Sequence, residues 1–196
     1  MLHLPKDLIL ASASPRRIQL LRQVGLEFRA ISASIQEEYN GRKPVEFAVD
    51  MAVEKASSVA ASLEQAIVLA ADTIVVLGDK ILGKPSDAKE AKEMLHSLSN
   101  RLHEVITGYC IYDRPSNNVI KNYELTKVWF RELEDEEIES YVNSGSPLDK
   151  AGAYGIQDDF GAVFVSRIEG CYYNVVGLPL AKVYNDLKHC IANNVM

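Results

Sequence analysis

The run from Ile67 to Leu77 is strongly β-prone and almost wholly apolar, yet it carries a carboxylate near its middle, at Asp72-Thr73. The run reads as a strand interrupted by that pair. Gly78-Asp79 then signals a hairpin turn, and Ile81-Leu82 begins a return strand. The rest of the sequence mixes further strands with helices. Leu8 to Ala13 reads as a short buried strand. Ser14-Pro15 is a helix start, with serine as cap and proline in the first turn. Ile18, Leu21 and Val24 follow at helical spacing, and Gly25 is a stop.

Phe28 to Ile35 alternates weakly and is expected to be a second strand. Pro44 to Leu63 reads as a long helix whose apolar stripe includes Ala48, Met51, Ala52, Ala56 and Val59, with Lys55 on or near it. Asp87 to Leu98 is a helix capped by Ser86 or Asp87, with Glu90 completing a capping box from Asp87. His103 to Tyr112 and Val119 to Arg131 read as long strands joined by the turn Arg114 to Asn118. Asp135 to Val142 is a short acidic helix. Pro147 to Asp159 is irregular, Ala162 to Ile168 a strand, and Leu178 to Ile191 the last helix. Hairpins and strand–helix alternation together predict an α/β fold with a mixed twisted sheet flanked by helices. The 196 residues are read as a single domain, 1–196.

The net charge of −6 gives no general affinity for nucleic acid or an anionic membrane, so basic residues must be gathered locally to hold an anion. Cys110, Cys171 and Cys190 are odd in number and lack metal-site spacing, and they read as reduced thiols of a cytoplasmic protein. Ala11-Ser12-Ala13 resembles a signal cleavage site. The apolar run before it is too short, however, and Asp7 stands where positive charge belongs, so no signal peptide is expected. No apolar run approaches the roughly 20 residues of a membrane span.

Ser12-Ala13-Ser14-Pro15-Arg16-Arg17 places two hydroxyls and two guanidiniums at a helix start, where backbone N–H groups and the helix dipole favour phosphate. Read alone, it is equally a capped helix with solvated arginines. Asp72 inside an apolar run is costly unless paired, metal-bound or at a strand end. Such a carboxylate can bind Mg²⁺ or activate a water. Gly83-Lys84-Pro85 is a stiff loop with a lysine for phosphate, or an ordinary turn. Lys55, Glu37-Glu38 and Glu124 beside Thr126 each have a plain solvated reading. Asp149 to Gln157 combines glycines that permit close backbone approach, Lys150 for phosphate, Tyr154 for stacking and Gln157 for a base edge. His3, His96, His103 and His189 are scattered without ligand spacing and receive no catalytic role. Together these stretches point to metal-assisted phosphate chemistry.

SASPRR, AADTIV at 70–75, GKP at 83–85, ELTKVWF at 124–130, KAGAYGIQ at 150–157 and NVVGLPL at 174–180 occur in the order found in the Maf family, which the whole chain resembles. The resemblance implies an inosine-triphosphatase-like fold with a cleft between two lobes. It implies hydrolysis of a nucleoside triphosphate to monophosphate and pyrophosphate with Mg²⁺ or Mn²⁺. The KAGAYGIQ form is similar to the branch acting on dTTP and UTP, with modified pyrimidine nucleotides as a further substrate class.

Carried over by motif, Asp72 matches the catalytic acidic residue, and Arg16, Thr73 and Gln157 match positions linked to base selection. Ser12, Ser14, Arg17, Glu37, Lys55, Lys84, Glu124 and Lys150 complete the expected substrate site, with Asp72 and Glu37 as metal ligands. Asp158-Asp159 departs from the family pattern, in which glycine commonly follows the glutamine. The resemblance also implies a homodimer and a link to inhibition of septum formation. The alternative reading is a non-enzymatic division regulator that acts by protein binding.

Overall fold

The computed structural model describes residues 2–33, 35, 39, 41–157 and 160–192. In chain order it contains β1 (Leu8–Leu10), α1 (Pro15–Gln23), β2 (Arg29–Ala30), α2 (Pro44–Ala60), β3 (Ala66–Leu77), β4 (Lys80–Leu82), α3 (Ala88–Leu98), β5 (Leu102–Arg114), β6 (Val119–Phe130) and α4 (Asp135–Asn143). There follow two 3-10 turns, Ser146–Asp149 and Ala151–Ala153. The chain then forms α5 (Gly161–Phe164), β7 (Val165–Glu169), α6 (Tyr172–Val176) and α7 (Leu180–Ala192). The strands form one sheet in the order β2-β1-β3-β5-β6-β7, with β4 also paired to β3. β1 runs parallel to β2 and β3, whereas β4 is antiparallel on β3 and β7 antiparallel on β6. The mixed α/β sheet expected from the sequence is therefore the one observed.

Several expected elements are shifted. Among the described residues of Phe28 to Ile35, only Arg29–Ala30 join the sheet, and both are exposed at its edge. Ala162 to Ile168 is divided. Its first residues lie in α5, and the strand begins at Val165, where pairing with Phe130 of β6 begins. The irregular stretch after Pro147 contains the two 3-10 turns. The five-residue helix α6 had no sequence signal, because it spans little more than one turn. At α3, Asp87 accepts from Glu90 N at 2.8 Å, as a cap should, but the Glu90 carboxylate reaches back to Ser86 N and Oγ rather than to Asp87.

The chain forms two compact units: Met1–Asp72, Thr107–Glu124 and Gly177–Met196 in the first, Thr73–Ile106 and Leu125–Val176 in the second. In the first unit, Ala52, Ala56, Val59 and Ala60 of α2 pack against Ala66, Val68 and Ala70 of β3 and against Ile9. Small side chains on both surfaces let the helix lie close to the strands. Gly108 of β5 sets that closeness. A Cβ there would stand 2.4 Å from the backbone C and O of Ala48, so only glycine fits beneath α2.

The second unit has its own core. Leu95 and Leu98 of α3, Ile138 and Tyr141 of α4, Phe130 of β6 and Phe164 of α5 gather there with Tyr154. The aromatic rings meet edge to face: Phe130 and Tyr154 have centroids 4.7 Å apart at 78°.

Candidate functional site

Asp72 lies within β3, not at its end, because the strand continues to Leu77. Successive strand side chains alternate between faces. Ala66, Val68 and Ala70 face α2 in the first unit's core, so the same alternation turns Asp72 toward α2. There Lys55 Nζ donates to Asp72 Oδ1 at 2.5 Å, with side-chain exposures of 12% and 9%. Lys55 follows Ala52 by three residues and precedes Val59 by four, which places it on the apolar stripe of α2. The pair answers the question that Asp72 raised: a carboxylate in a buried strand is held by an ammonium on the covering helix.

β1 ends beside β3, with Leu10 opposite Leu69, and Ala11 N still donates to Leu69 O at 2.8 Å. The chain then turns into α1, with Ser14 extended at the cap position and Pro15 opening the helix. Among the described residues, the Ser14 side chain makes no capping hydrogen bond. Instead Ser12 Oγ organises the turn, accepting from Ser14 N at 3.2 Å and from Arg17 Nη1 at 3.3 Å. Arg17 Nε also donates to Gly177 O at 2.8 Å. Ser12 is buried, and Ser14, Arg16 and Arg17 are half-buried. The first unit thus holds the guanidinium of Arg17 in a fixed orientation at the start of α1, and the ion pair of Lys55 with Asp72 at the end of its β3 segment. Glu124, also in this unit, pairs with Lys182 of α7 at 2.9 Å.

The second unit begins at Thr73, which is half-buried. It brings together two of the sequence-predicted stretches: Gly152 N donates to Gly83 O at 3.0 Å, so the loop of Lys84 is tied to the loop of Gln157. Lys84 itself is exposed. Lys150 is buried, and its Nζ donates to the carbonyl and hydroxyl of Ser146 and to Asp149 Oδ1, which braces the first 3-10 turn. The side-chain amide of Gln157 is shielded from solvent, and neither its nitrogen nor its oxygen has a hydrogen-bond partner among the described residues. A buried amide in that condition suits a ligand that brings its own donor and acceptor.

Tyr154 departs from the expectation that it stacks on a ligand. It is 5% exposed and packs inside the second core, with its hydroxyl 2.8 Å from His103 Nε2. His103, one of four histidines without ligand spacing, is 1% exposed, and burial pushes its imidazole down to about 3. The ring is therefore neutral at ordinary pH. The signal that could have found His103 was the start of β5, where exposed Leu102 and half-buried Glu104 alternate with buried His103 and Val105. Glu37 lies outside the described residues, as do Asp158 and Asp159.

Among the described residues no three His, Cys, Asp or Glu side chains are grouped to hold a metal ion. No helix among them is long and apolar enough to cross a membrane. Cys110, Cys171 and Cys190 form no disulfide with one another, and burial pushes the Cys110 thiol up to about 12.

A family model described as "Maf-like protein" matches residues 7–190. Among curated proteins, the chain is similar to the dTTP/UTP pyrophosphatase of Carboxydothermus hydrogenoformans, at 49% identity over 91% of this chain and 96% of that protein. It is equally similar to the dTTP/UTP pyrophosphatases of Aquifex aeolicus, at 49% over 92% and 93%, and Geobacter metallireducens, at 49% over 92% and 94%. Among solved structures, the Ham1 protein of Staphylococcus aureus aligns with a TM-score of 0.47 at 14% identity, over 64% of this chain and 72% of that one.

Proposed function

The chain belongs to the Maf family, and from that premise we propose that it is a nucleoside triphosphate pyrophosphatase hydrolysing dTTP and UTP to the monophosphate and pyrophosphate. The observation that carries the reading is Asp72, a carboxylate held inside a buried strand by Lys55. A buried ion pair is weak support for stability, so its presence argues for a chemical use. The relatives at 49% identity, each named a dTTP/UTP pyrophosphatase, supply the reaction and the bases.

In the proposed reaction a water oxygen bonds to the α-phosphorus and the bridging bond from that phosphorus to the β-phosphate oxygen breaks. The water proton passes to a base, and pyrophosphate departs. Asp72 is the acidic group at this centre. A triphosphate carries about four negative charges that cations must offset. Arg17, oriented by Ser12 and Gly177, and the start of α1 at Ser14 meet phosphate, with Lys84 as a further phosphate partner, whereas the buried Lys150 ammonium is engaged by Ser146 and Asp149 and braces its own loop. Arg16, Thr73 and Gln157 are the proposed base-selecting residues, and Glu124 is a further proposed substrate contact.

A divalent cation fits the donor chemistry present. Mg²⁺ is commonly held by one or two carboxylates plus the substrate's own phosphates rather than by an all-protein cage. Asp72 supplies such an oxygen donor, and Glu37 is the proposed second. When bound, Mg²⁺ or Mn²⁺ would supply charge neutralisation on the phosphates. The proposed setting is cytoplasmic and the proposed assembly a homodimer. No observation favours the alternative of a non-enzymatic division regulator.

The test is a panel of dTTP, UTP, CTP, GTP and modified pyrimidine triphosphates with Mg²⁺, following pyrophosphate and monophosphate. dTTP and UTP should be turned over fastest, in equal amounts of the two products. Orthophosphate as the product would overturn the reaction, and equal rates on GTP would overturn the base assignment.

A further inference from the structure

The loop from Lys150 to Gln157 is held at several points, and one of them has no part in packing alone. Lys150 is tied to Ser146 and Asp149, and Gly152 N to Gly83 O. Gly152 (φ +67) and Ala153 (φ 62) are consecutive left-handed residues, and a Cβ on Gly152 would stand 2.9 Å from a Val75 methyl. Alanine takes the left-handed region only at a cost, so the surroundings force this bend. Beyond Gln157, Gly161 closes on the loop so tightly that a Cβ there would lie 2.5 Å from Gly155 O. Between these points stands Tyr154.

The Tyr154 ring is already fixed by Phe130, at 4.7 Å. Its hydroxyl nevertheless meets a histidine in the interior, Nε2 of His103 at 2.8 Å, and His103 Nδ1 has no hydrogen-bond partner among the described residues. A phenylalanine and a leucine would fill the same space without burying three polar atoms. Burying this polar pair, with His103 Nδ1 unpartnered among the described residues, therefore costs stability that apolar packing would not. What the hydrogen bond adds is direction: it fixes the Tyr154 hydroxyl against His103 of β5, three residues along the chain before the partnerless Gln157 amide.

We propose that His103 is a positioning residue for base selection, acting through the Tyr154 hydroxyl to set where the Gln157 amide meets the pyrimidine. Uracil and thymine present an acceptor at O4 where cytosine presents an amino donor. An amide fixed with its donor toward that position accepts the first and rejects the second, and a displaced amide loses the distinction. The inference rests on the reading of Gln157 as base-selecting.

The experiment measures kcat/KM for dTTP and CTP by pyrophosphate release, using the full-length protein, and takes the ratio of the two. Gln157→Ala sets the scale by removing the amide. Tyr154→Phe and His103→Leu should each lower the ratio about tenfold, the size of one hydrogen bond. His103→Gln, whose amide can reach the place of Nε2, should retain it. Tyr154→Phe combined with Gln157→Ala should fall no further than Gln157→Ala alone.

If Gln157→Ala lowers the ratio and Tyr154→Phe does not, the positioning role is overturned while base reading stands. If kcat falls equally on both nucleotides with the ratio unchanged, His103 is merely structural, and the inference is equally overturned. If Gln157→Ala itself leaves the ratio unchanged, the underlying reading fails. Should His103→Leu not fold, Tyr154→Phe, which keeps the ring, carries the test.

Discussion

Lys55 Nζ of α2 stands 2.5 Å from Asp72 Oδ1 of β3, and the two nearly buried charges compensate one another. Removing one partner leaves the other charge in a poorly solvated place, which is worse than removing both. Lys55→Met is therefore expected to destabilise the protein by roughly 3 kcal/mol, read as a fall in the urea midpoint. The double variant Lys55→Met with Asp72→Leu should recover part of that loss. A midpoint unmoved by Lys55→Met would show that the ammonium does not compensate Asp72.

Gly108 fixes how near α2 comes to β5, and α2 carries Lys55. A methyl group at Gly108 collides with the helix backbone at Ala48 rather than with a side chain that can turn away. Gly108→Ala should cost about 3 kcal/mol, at the upper end of overpacking penalties. Turnover should fall as well, because a displaced α2 carries Lys55 away from Asp72. Denaturation and activity measured on the same preparation check both.

The acid limb of stability should carry the mark of His103. Its imidazole ionises near 6.5 when unfolded and is pushed down to about 3 in the fold, by burial. Between those values the unfolded chain binds a proton that the folded one does not, so stability falls as pH drops through the window, by about 1.4 kcal/mol per pH unit. Above the unfolded value the contribution is complete and flat. Between pH 7 and about pH 5, wild type should lose about 2 kcal/mol more than His103→Gln. Parallel urea titrations at the two pH values give the comparison, and equal losses would contradict a buried neutral imidazole.

The parts of the fold set by local pattern were legible in the sequence. The run from Ile67 to Leu77 is an unbroken strand because its residues are apolar and largely β-branched. The stripe of α2 is periodic, so Lys55 could be placed on it before any partner was visible. Asp72 could be seen as anomalous but not explained, because its partner lies on another element and only the pairing of strand and helix brings them together. Ser14 was legible as a cap position. That Ser12, not Ser14, accepts the hydrogen bonds depends on how Arg17 reaches Gly177, far along the chain.

The same limit hid His103. In the sequence it is one of four scattered histidines, and its neighbour Tyr154 looked like a loop residue able to stack on a ligand. Burial of that loop against Phe130 makes the two partners instead. α6 and the start of β7 were missed because short elements carry too few residues for periodicity to show.

The most direct test compares wild type with Asp72→Asn on dTTP in the presence of Mg²⁺, following pyrophosphate. The substitution keeps the size of the side chain and removes its charge and its capacity to take a proton. Wild type should release pyrophosphate and thymidine monophosphate in equal amounts, and Asp72→Asn should be slower by about 10²–10⁴-fold, the range for loss of an acid–base group. A variant that folds and keeps most of the wild-type rate would contradict the assignment of the chemistry to Asp72.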